Sequence, residues 1–369
     1  MIGETPNLCR IVQGAVLVAL ATTVAGAQPS PPRAIRFCAG GDVSLGTNLD
    51  TTWSIGRFAD GKRVSALPDP RDLLVPLVPL FAAADVVLLN VEGAIGDGPA
   101  PRKCARGSTR CYALRQPPAT ATALRQLNGS AAVVGNVANN HAHDAGETGL
   151  IETRRWLQSA GVYVTGADTI CTAVPLSDGD TVAVLGFSPW SIGGVSDLDA
   201  VRRHVARAAV RYGRVIVTMH IGAEGAAARH TTDAVERFAG ENRGNSVAFA
   251  RAAVDGGASL VIGSGPHVLR AIEWNGRALV AYSLGNLVTY GPFNHWGYDD
   301  HGAVLCATLE ADGGVSDAVL HSTTQRAPGY VQADTGNLGA RDIADLSKRD
   351  FPLTGAVISR AGAIKPRPR

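Results

Sequence analysis

Short runs rich in β-branched residues alternate along this chain with longer amphipathic segments, and that alternation limits the fold more than any other feature. Residues 35–39, 86–91, 132–136, 162–165, 181–187, 215–220, 260–263 and 278–283 read as strands. Residues 70–83, 117–127, 147–160, 197–212 and 245–255 read as helices, with Asp69 before Pro70 and Ser196 before Asp197 as start signals. The strand runs are apolar almost throughout, as strands buried on both faces between helices must be. Later, 303–309 and 315–322 flank Asp312-Gly313-Gly314 and predict a hairpin. From Arg326 the periodicity weakens, and 365–369 is expected to fray. A chain of 369 residues, 46% hydrophobic and 18% charged, can bury a large core, which excludes global disorder. Its 34 basic and 32 acidic residues leave a net charge of +2, without the basic excess on which nucleic-acid binding rests.

The apolar run 11–25 follows Arg10 and precedes Ala25-Gly26-Ala27. It is short for a membrane span and predicts a secretory signal over 1–27, cleaved after Ala27, with 28–34 as a linker. An exported protein, periplasmic or extracellular, with no stable membrane span after cleavage, is the expectation. Cleavage removes Cys9 and leaves five cysteines. Cys104 and Cys111 close a short loop and predict a disulfide, which an oxidising compartment preserves. Cys38 and Cys306 lie in strand-like runs and are expected as buried packing residues.

The polar chemistry collects where strands stop. The motifs, in order, are Gly40-Gly41-Asp42, Asn90-Val91-Glu92-Gly93, Asn139-Asn140-His141 with Asp144 and Gly146, His220 with Glu224, Gly265-Pro266-His267, and Ser283-Leu284-Gly285-Asn286. Each alone has an ordinary structural explanation: a turn cap, an ion-pair partner, a helix cap, a satisfied core histidine. Six together point to one shared site, because carboxyl ends of strands in an open α/β sheet face the ligand crevice. Asp, Glu, Asn and His are the ligands of hard divalent ions such as Mn, Mg, Fe or Zn, and the absence of cysteine argues against a structural zinc site.

The order of these motifs resembles the poly-gamma-glutamate capsule biosynthesis (CapA-type) family, which in turn resembles the calcineurin-like metallophosphoesterases. The resemblance runs from about Ile35 to about Leu309. Its most specific parts are Asn139-Asn140-His141 followed by Thr148-Gly149-Leu150 and Thr153; the stretch 255–263 with Pro266-His267; and Tyr282-Ser283-Leu284-Gly285-Asn286. It implies a four-layer α/β/β/α sandwich over 35–325, with a C-terminal β-hairpin and an extension over 326–369. It also implies Asp42, Glu92, Asn140, His220 and His267 as metal-site residues for one or two ions. His141 would be an acid oriented by Asp144, and Glu224 would position water or a histidine. The chain departs from the pattern at Ile221, where many relatives carry an aromatic, and at Gly265, where many carry a second histidine. It also lacks an Asp-x-His opening.

The segment 290–301 packs four aromatics into a chain that is 5% aromatic. It reads as a substrate-facing lid or a satellite hydrophobic cluster, with Asn286 and Trp296 as substrate-binding candidates. Arg102, Arg106 and Arg110 could meet an anionic polymer or form a solvated loop. Three functions follow as expectations. One is a metal-dependent hydrolase or transferase acting on a phosphoester or a poly-glutamate-like amide. Another is a non-catalytic polymer-binding accessory of capsule assembly and export machinery. The third is a free-standing periplasmic phosphatase or nucleotidase.

Overall fold

The computed structural model describes residues 9–11, 33–48, 56–57, 63–64, 67–98, 103–104, 111–167, 170–291, 293 and 295–368. Most of the expected signal and linker, and Arg102, Arg106 and Arg110, lie outside the described residues.

The chain first lays down β1 (Ile35–Leu45), β2 (Val86–Val91), β3 (Ala132–Asn136) and β4 (Tyr163–Thr165), all parallel and adjacent in the order β4-β3-β2-β1. A second sheet follows from β5 (Cys171–Pro175), β6 (Thr181–Phe187) and β7 (Val215–His220). A small hairpin, β8 (Glu236–Phe238) and β9 (Glu241–Gly244), precedes β10 (Leu260–Ser264), β11 (Ile272–Asn275) and β12 (Ala278–Ala281). In the second sheet the order is β5-β6-β7-β10-β12-β11, with β6, β7, β10 and β12 parallel. The chain then returns to the first sheet with β13 (Asn286–Tyr290), β14 (His301–Leu309) and β15 (Val315–Arg326).

Period-two side-chain geometry fixes the layers. In β2, Val87, Leu89 and Val91 join a core with Leu73, Phe81, Leu124 and Leu157 from the helices outside the first sheet. Val86 and Leu88 point the other way, into a core shared with Val182, Val184, Ile216 and Leu260 of the second sheet. Val217 and Val261 in turn face Val201, Val205 and Phe249 of the helices Leu198–Tyr212 and Ser246–Asp255. The result is the expected four layers of helix, sheet, sheet and helix. Each such Val, Leu or Phe contributes about 1.5–3 kcal/mol when fully buried.

Local chemistry sets the helix ends. Asn245 caps the Ser246–Asp255 helix by accepting from the Ala248 N–H at 3.0 Å. Asp197, and not Ser196, caps the helix after β6. The expected helix over 70–83 runs only to Phe81 and is broken into Pro70–Leu74, a 3-10 turn Val75–Leu77 and Val78–Phe81. Pro76 and Pro79 supply no N–H to the ladder, which accounts for the break.

Two expectations need correction. Cys38 and Cys306 are bonded to each other: antiparallel pairing of β1 with β14 sets them opposite one another across 268 residues of sequence. The fraying expected over 365–369 does not reach Lys365, since Ala363–Lys365 pairs with β15; upstream, where periodicity is weak, Tyr330–Ala333 also pairs with β15, and the Leu338–Asp350 helix buries Ala340 and Ile343 against the inter-sheet core. Cys104–Cys111 forms as expected. Cys9 is bonded to Cys171, and Arg10–Ile11 pairs with β5, contacts that a chain cleaved after Ala27 would lose. No helix among the described residues is long and apolar enough to cross a membrane.

Candidate metal centre

Both sheets deliver their parallel strands to one crevice, and the polar side chains at their ends meet there. Asp42 lies within β1, and Gly41 before it lets the Gly285 carbonyl approach where a Cβ would collide with it. The Asp42 N–H donates to that carbonyl at 3.0 Å. The Asp42 carboxylate accepts from Asn90 Nδ2 at 2.7 Å and stands 3.2 Å from His267 Nδ1. Asn90 is held in turn by Asn136 Nδ2, which donates to its Oδ1 at 2.9 Å.

Glu92, directly after β2, is the centre of the arrangement. It has no exposed surface, and neither carboxylate oxygen has a hydrogen-bond donor among the described residues. Its Oε1 faces three imidazoles: His267 Nε2 at 3.5 Å, His220 Nε2 at 3.8 Å and His141 Nε2 at 3.9 Å. Asp42, Glu92 and His267 can each offer a ligand atom within 4.8 Å of the others. Asn140 joins through its Oδ1, 2.9 Å from His220 Nε2. All five expected metal-site residues therefore converge.

The two histidine strand ends differ in electrostatics. Burial pushes His220 down to about 3, so its ring is neutral, with Nδ1 near Asn90 at 3.2 Å and Ser264 Oγ at 3.1 Å. Burial also works against charge on His267, but the Glu92 and Asp42 carboxylates outweigh it and hold that imidazole well above its ordinary range. Burial pushes Glu92 well above the usual carboxylate range. Burial opposes the Asp42 charge too, yet the His267 and Asn90 contacts keep its carboxyl low. The cluster thus retains protons that a bound cation would replace. His267 sits at φ +58, a conformation costly for a side-chain-bearing residue and common at functional sites.

His141 and Asp144 form the expected pair, Nδ1 to Oδ2 at 2.6 Å. Asp144 is buried and held twice more, by the Lys103 ammonium and by the Leu114 N–H at 2.6 Å. The disulfide at Cys104–Cys111 closes the chain segment between those two holds.

The other three candidates are placed as follows. Glu224 bonds no histidine; its Oε1 lies 2.8 Å from Arg243 Nη1. Asn286 is buried behind His267, its Oδ1 2.9 Å from Nδ1, so it positions that ring and is closed to substrate. Trp296 is 72% exposed, whereas Phe293 of the same segment meets the His267 ring edge-on at 6.0 Å. Gly265 has φ +103, and a Cβ there would come within 3.0 Å of the His220 ring. A side chain at that position would press on His220.

Sequence reasoning named Asn90 in a motif without giving it a role, and missed Trp190, Lys103 and Arg243. Asn90 was legible, because it lies two residues before Glu92 and residues two apart on an extended strand share a face. Trp190 and Arg243 carried no local signal: Trp190 meets His220 edge-on at 6.3 Å from a loop after β6, and Arg243 reaches it from β9. A cavity of about 140 Å³ adjoins this rim, lined by Asn139, His143, Ser188 and Trp190 among others.

The CapA of Bacillus subtilis (strain 168), a PGA biosynthesis protein, is 27% identical over 232 residues, covering 57% of this chain and 54% of that protein. The capsule biosynthesis protein CapA of Bacillus anthracis is 27% identical over 173 residues, covering 42% and 39%. The chain thus spans about half the length, or less, of these curated relatives. Backbone similarity to a 5'-nucleotidase precursor from Thermus thermophilus is loose: TM-score 0.39 and 13% identity, covering 87% of this chain and 59% of that one. The description of bacterial capsule synthesis protein PGA_cap matches residues 36–290, which takes in every strand end described above except those after β13. The chain belongs to the bacterial capsule synthesis protein family PGA_cap.

Proposed function

We propose that this protein is an exported capsule-synthesis protein whose crevice binds a divalent ion, Mn, Mg, Fe or Zn, and carries out hydrolysis or group transfer. The observation that carries this reading is Glu92, a fully buried carboxylate without one hydrogen-bond donor, ringed by three imidazoles. An uncompensated carboxylate in a dry interior costs several kcal/mol, and a cation removes that cost. Asp42, Glu92 and His267 would hold the ion, with Asn140 and His220 beside them. Such an ion, when bound, polarises a substrate oxygen and lowers the pKa of water.

The chain's own residues do the rest. With Nδ1 committed to Asp144, His141 presents Nε2 toward Glu92 and can pass a proton to a departing group. Lys103 and the Leu114 N–H keep Asp144 from turning away. Asn90 fixes Asp42 and Asn286 fixes His267, so two ion-facing groups are locked before substrate arrives. Phe293 and Trp190 wall the crevice. A phosphoester, or an amide of a poly-glutamate-like polymer, has a leaving group that needs the proton His141 supplies. The names of the curated relatives support capsule polymer synthesis as the setting.

The test is metal analysis of the purified full chain, followed by turnover of a p-nitrophenyl phosphodiester and of a γ-glutamyl anilide with added Mn or Mg. His141→Asn is expected to lower kcat on the γ-glutamyl anilide, whose leaving nitrogen must be protonated, on the order of 100-fold or more at unchanged ion content, and to matter less for the p-nitrophenyl ester, whose leaving group departs as the anion. A chain that binds no ion, and stays inert when Mn and Mg are supplied, overturns the proposal.

A further inference from the structure

The β8–β9 hairpin carries Arg243 to the rim of the crevice, where its side chain is 95% buried. Its guanidinium carbon stands 4.8 Å from the Trp190 ring centroid and 5.3 Å from that of Phe238. Trp190 in turn contacts His220, so one aromatic ring separates the guanidinium from a residue of the candidate metal centre. Two carboxylates approach: Glu224 Oε1 at 2.8 Å from Nη1, and Glu241 Oε2 at 3.3 Å from Nη2.

The Glu224 contact is an ion pair without a hydrogen bond. Its oxygen lies off the N–H directions, and neither Nη1 nor Nε has an acceptor among the described residues. A guanidinium presents five donors in a rigid planar fork, and buried donors left unspent are costly. The two aromatic rings fix the plane of that fork in advance, and the one-fifth exposed Glu224 covers it. A flexible carboxylate that sits on a preset fork without satisfying it is readily exchanged for one that does.

We propose that Arg243 binds an anionic group of the substrate, a carboxylate or a phosphoryl group, beside the metal centre, and that Glu224 is the stand-in this group displaces. The inference rests on the crevice being the substrate site and adds to it the charge of the substrate. It gives Glu224 a defined part: its negative charge weakens the binding of every anion, so only a group that matches the fork replaces it. Glu224 has a way out, because its side chain already reaches the surface, and the incoming anion replaces the charge it withdraws.

The experiment is calorimetric titration of the full chain, loaded with Mn, with inorganic phosphate and separately with glutarate. Arg243→Gln is expected to weaken anion binding on the order of tenfold or more, the usual loss for a charge-assisted contact. Glu224→Gln is expected to tighten binding of the same anion several-fold, because the competitor is gone. Opposite signs from two residues in contact are not what loss of a purely structural ion pair would give. A loss confined to glutarate assigns a carboxylate, and a loss confined to phosphate assigns a phosphoryl group. Equal affinity in Arg243→Gln and the parent, or no tightening in Glu224→Gln, overturns the proposal; should Arg243→Gln not fold, Glu224→Gln decides alone. Mn content is measured in each sample: a parent that binds no Mn defeats the reading of the metal centre, whereas full Mn content with unchanged anion affinities defeats only the assignment of Arg243.

Discussion

Replacing Glu92 by Gln should reverse the order of stability of parent and variant depending on whether an ion is present. In chelator the parent holds a buried carboxyl whose three facing imidazole nitrogens, at 3.5, 3.8 and 3.9 Å, make no hydrogen bond to it. Leaving a buried polar group unsatisfied costs about 1–3 kcal/mol, and more if it is charged. Gln carries no charge and can donate, so the variant is expected to be more stable than the parent by about 1–3 kcal/mol. With Mn at about 100 times its dissociation constant the parent gains about 2.7 kcal/mol from binding. The variant has lost an anionic ligand and gains little of this. The chelator difference also depends on pH in a defined direction. Glu92 is raised above its ordinary 4.5 in the folded state, so the folded chain binds the extra proton and stability is lost as pH rises above that value. The advantage of Gln should therefore vanish below about pH 4.5 and grow above it. Urea denaturation followed by tryptophan fluorescence, in EDTA and in Mn, measures all four states. A variant that is no more stable than the parent in EDTA, or that keeps the parent's gain in Mn, would refute the reasoning.

Two further outcomes are expected. His220 is pushed down to about 3 by burial from an ordinary 6.5, so the unfolded chain binds a proton the folded one refuses between those values. In EDTA, His220 contributes a loss of roughly 1 kcal/mol per pH unit on acidification through that window, opposed above about pH 4.5 by the gain from Glu92, and His220→Gln should remove the His220 contribution; identical slopes in parent and variant would sink the idea. Gly265→Ala places a Cβ within 3.0 Å of the His220 ring at φ +103. It should cost about 1–3 kcal/mol and lower ion content, and a variant with parental stability and full occupancy would contradict the packing described.

Some of this molecule was legible before its structure because the signals are local. The run 86–91 is β2 to the residue, and the runs 132–136, 181–187 and 215–220 are β3, β6 and β7. β-branched apolar segments bounded by turns and caps need no information from elsewhere in the chain. The site was legible for a related reason: parallel strands must end at the same edge of their sheet, so polar residues at several strand ends must gather. Asp42, Glu92, Asn140, His220 and His267 do so. Glu224 and Asn286 were placed in the right region without their protein partners. Their partners, Arg243 and His267, depend on how a hairpin and a positive-φ turn are set down by packing.

What the sequence by itself determined is therefore the α/β alternation, the burial of apolar strands between helices, and the edge at which the chemistry collects; the four-layer order came from the resemblance to the family. The first three follow from periods of two and 3.6 residues and from the side chains at strand ends. The tertiary structure alone decided the rest. It paired Cys38 with Cys306 through the register of β1 and β14, and it ordered the segment after Arg326 by giving it a strand and a core to join. It also left Glu92 without a donor and put Arg243 between two rings. The physical reason is one of range: propensity and pattern act over a few residues, whereas register, burial and the satisfaction of a polar atom depend on neighbours that only the folded chain supplies.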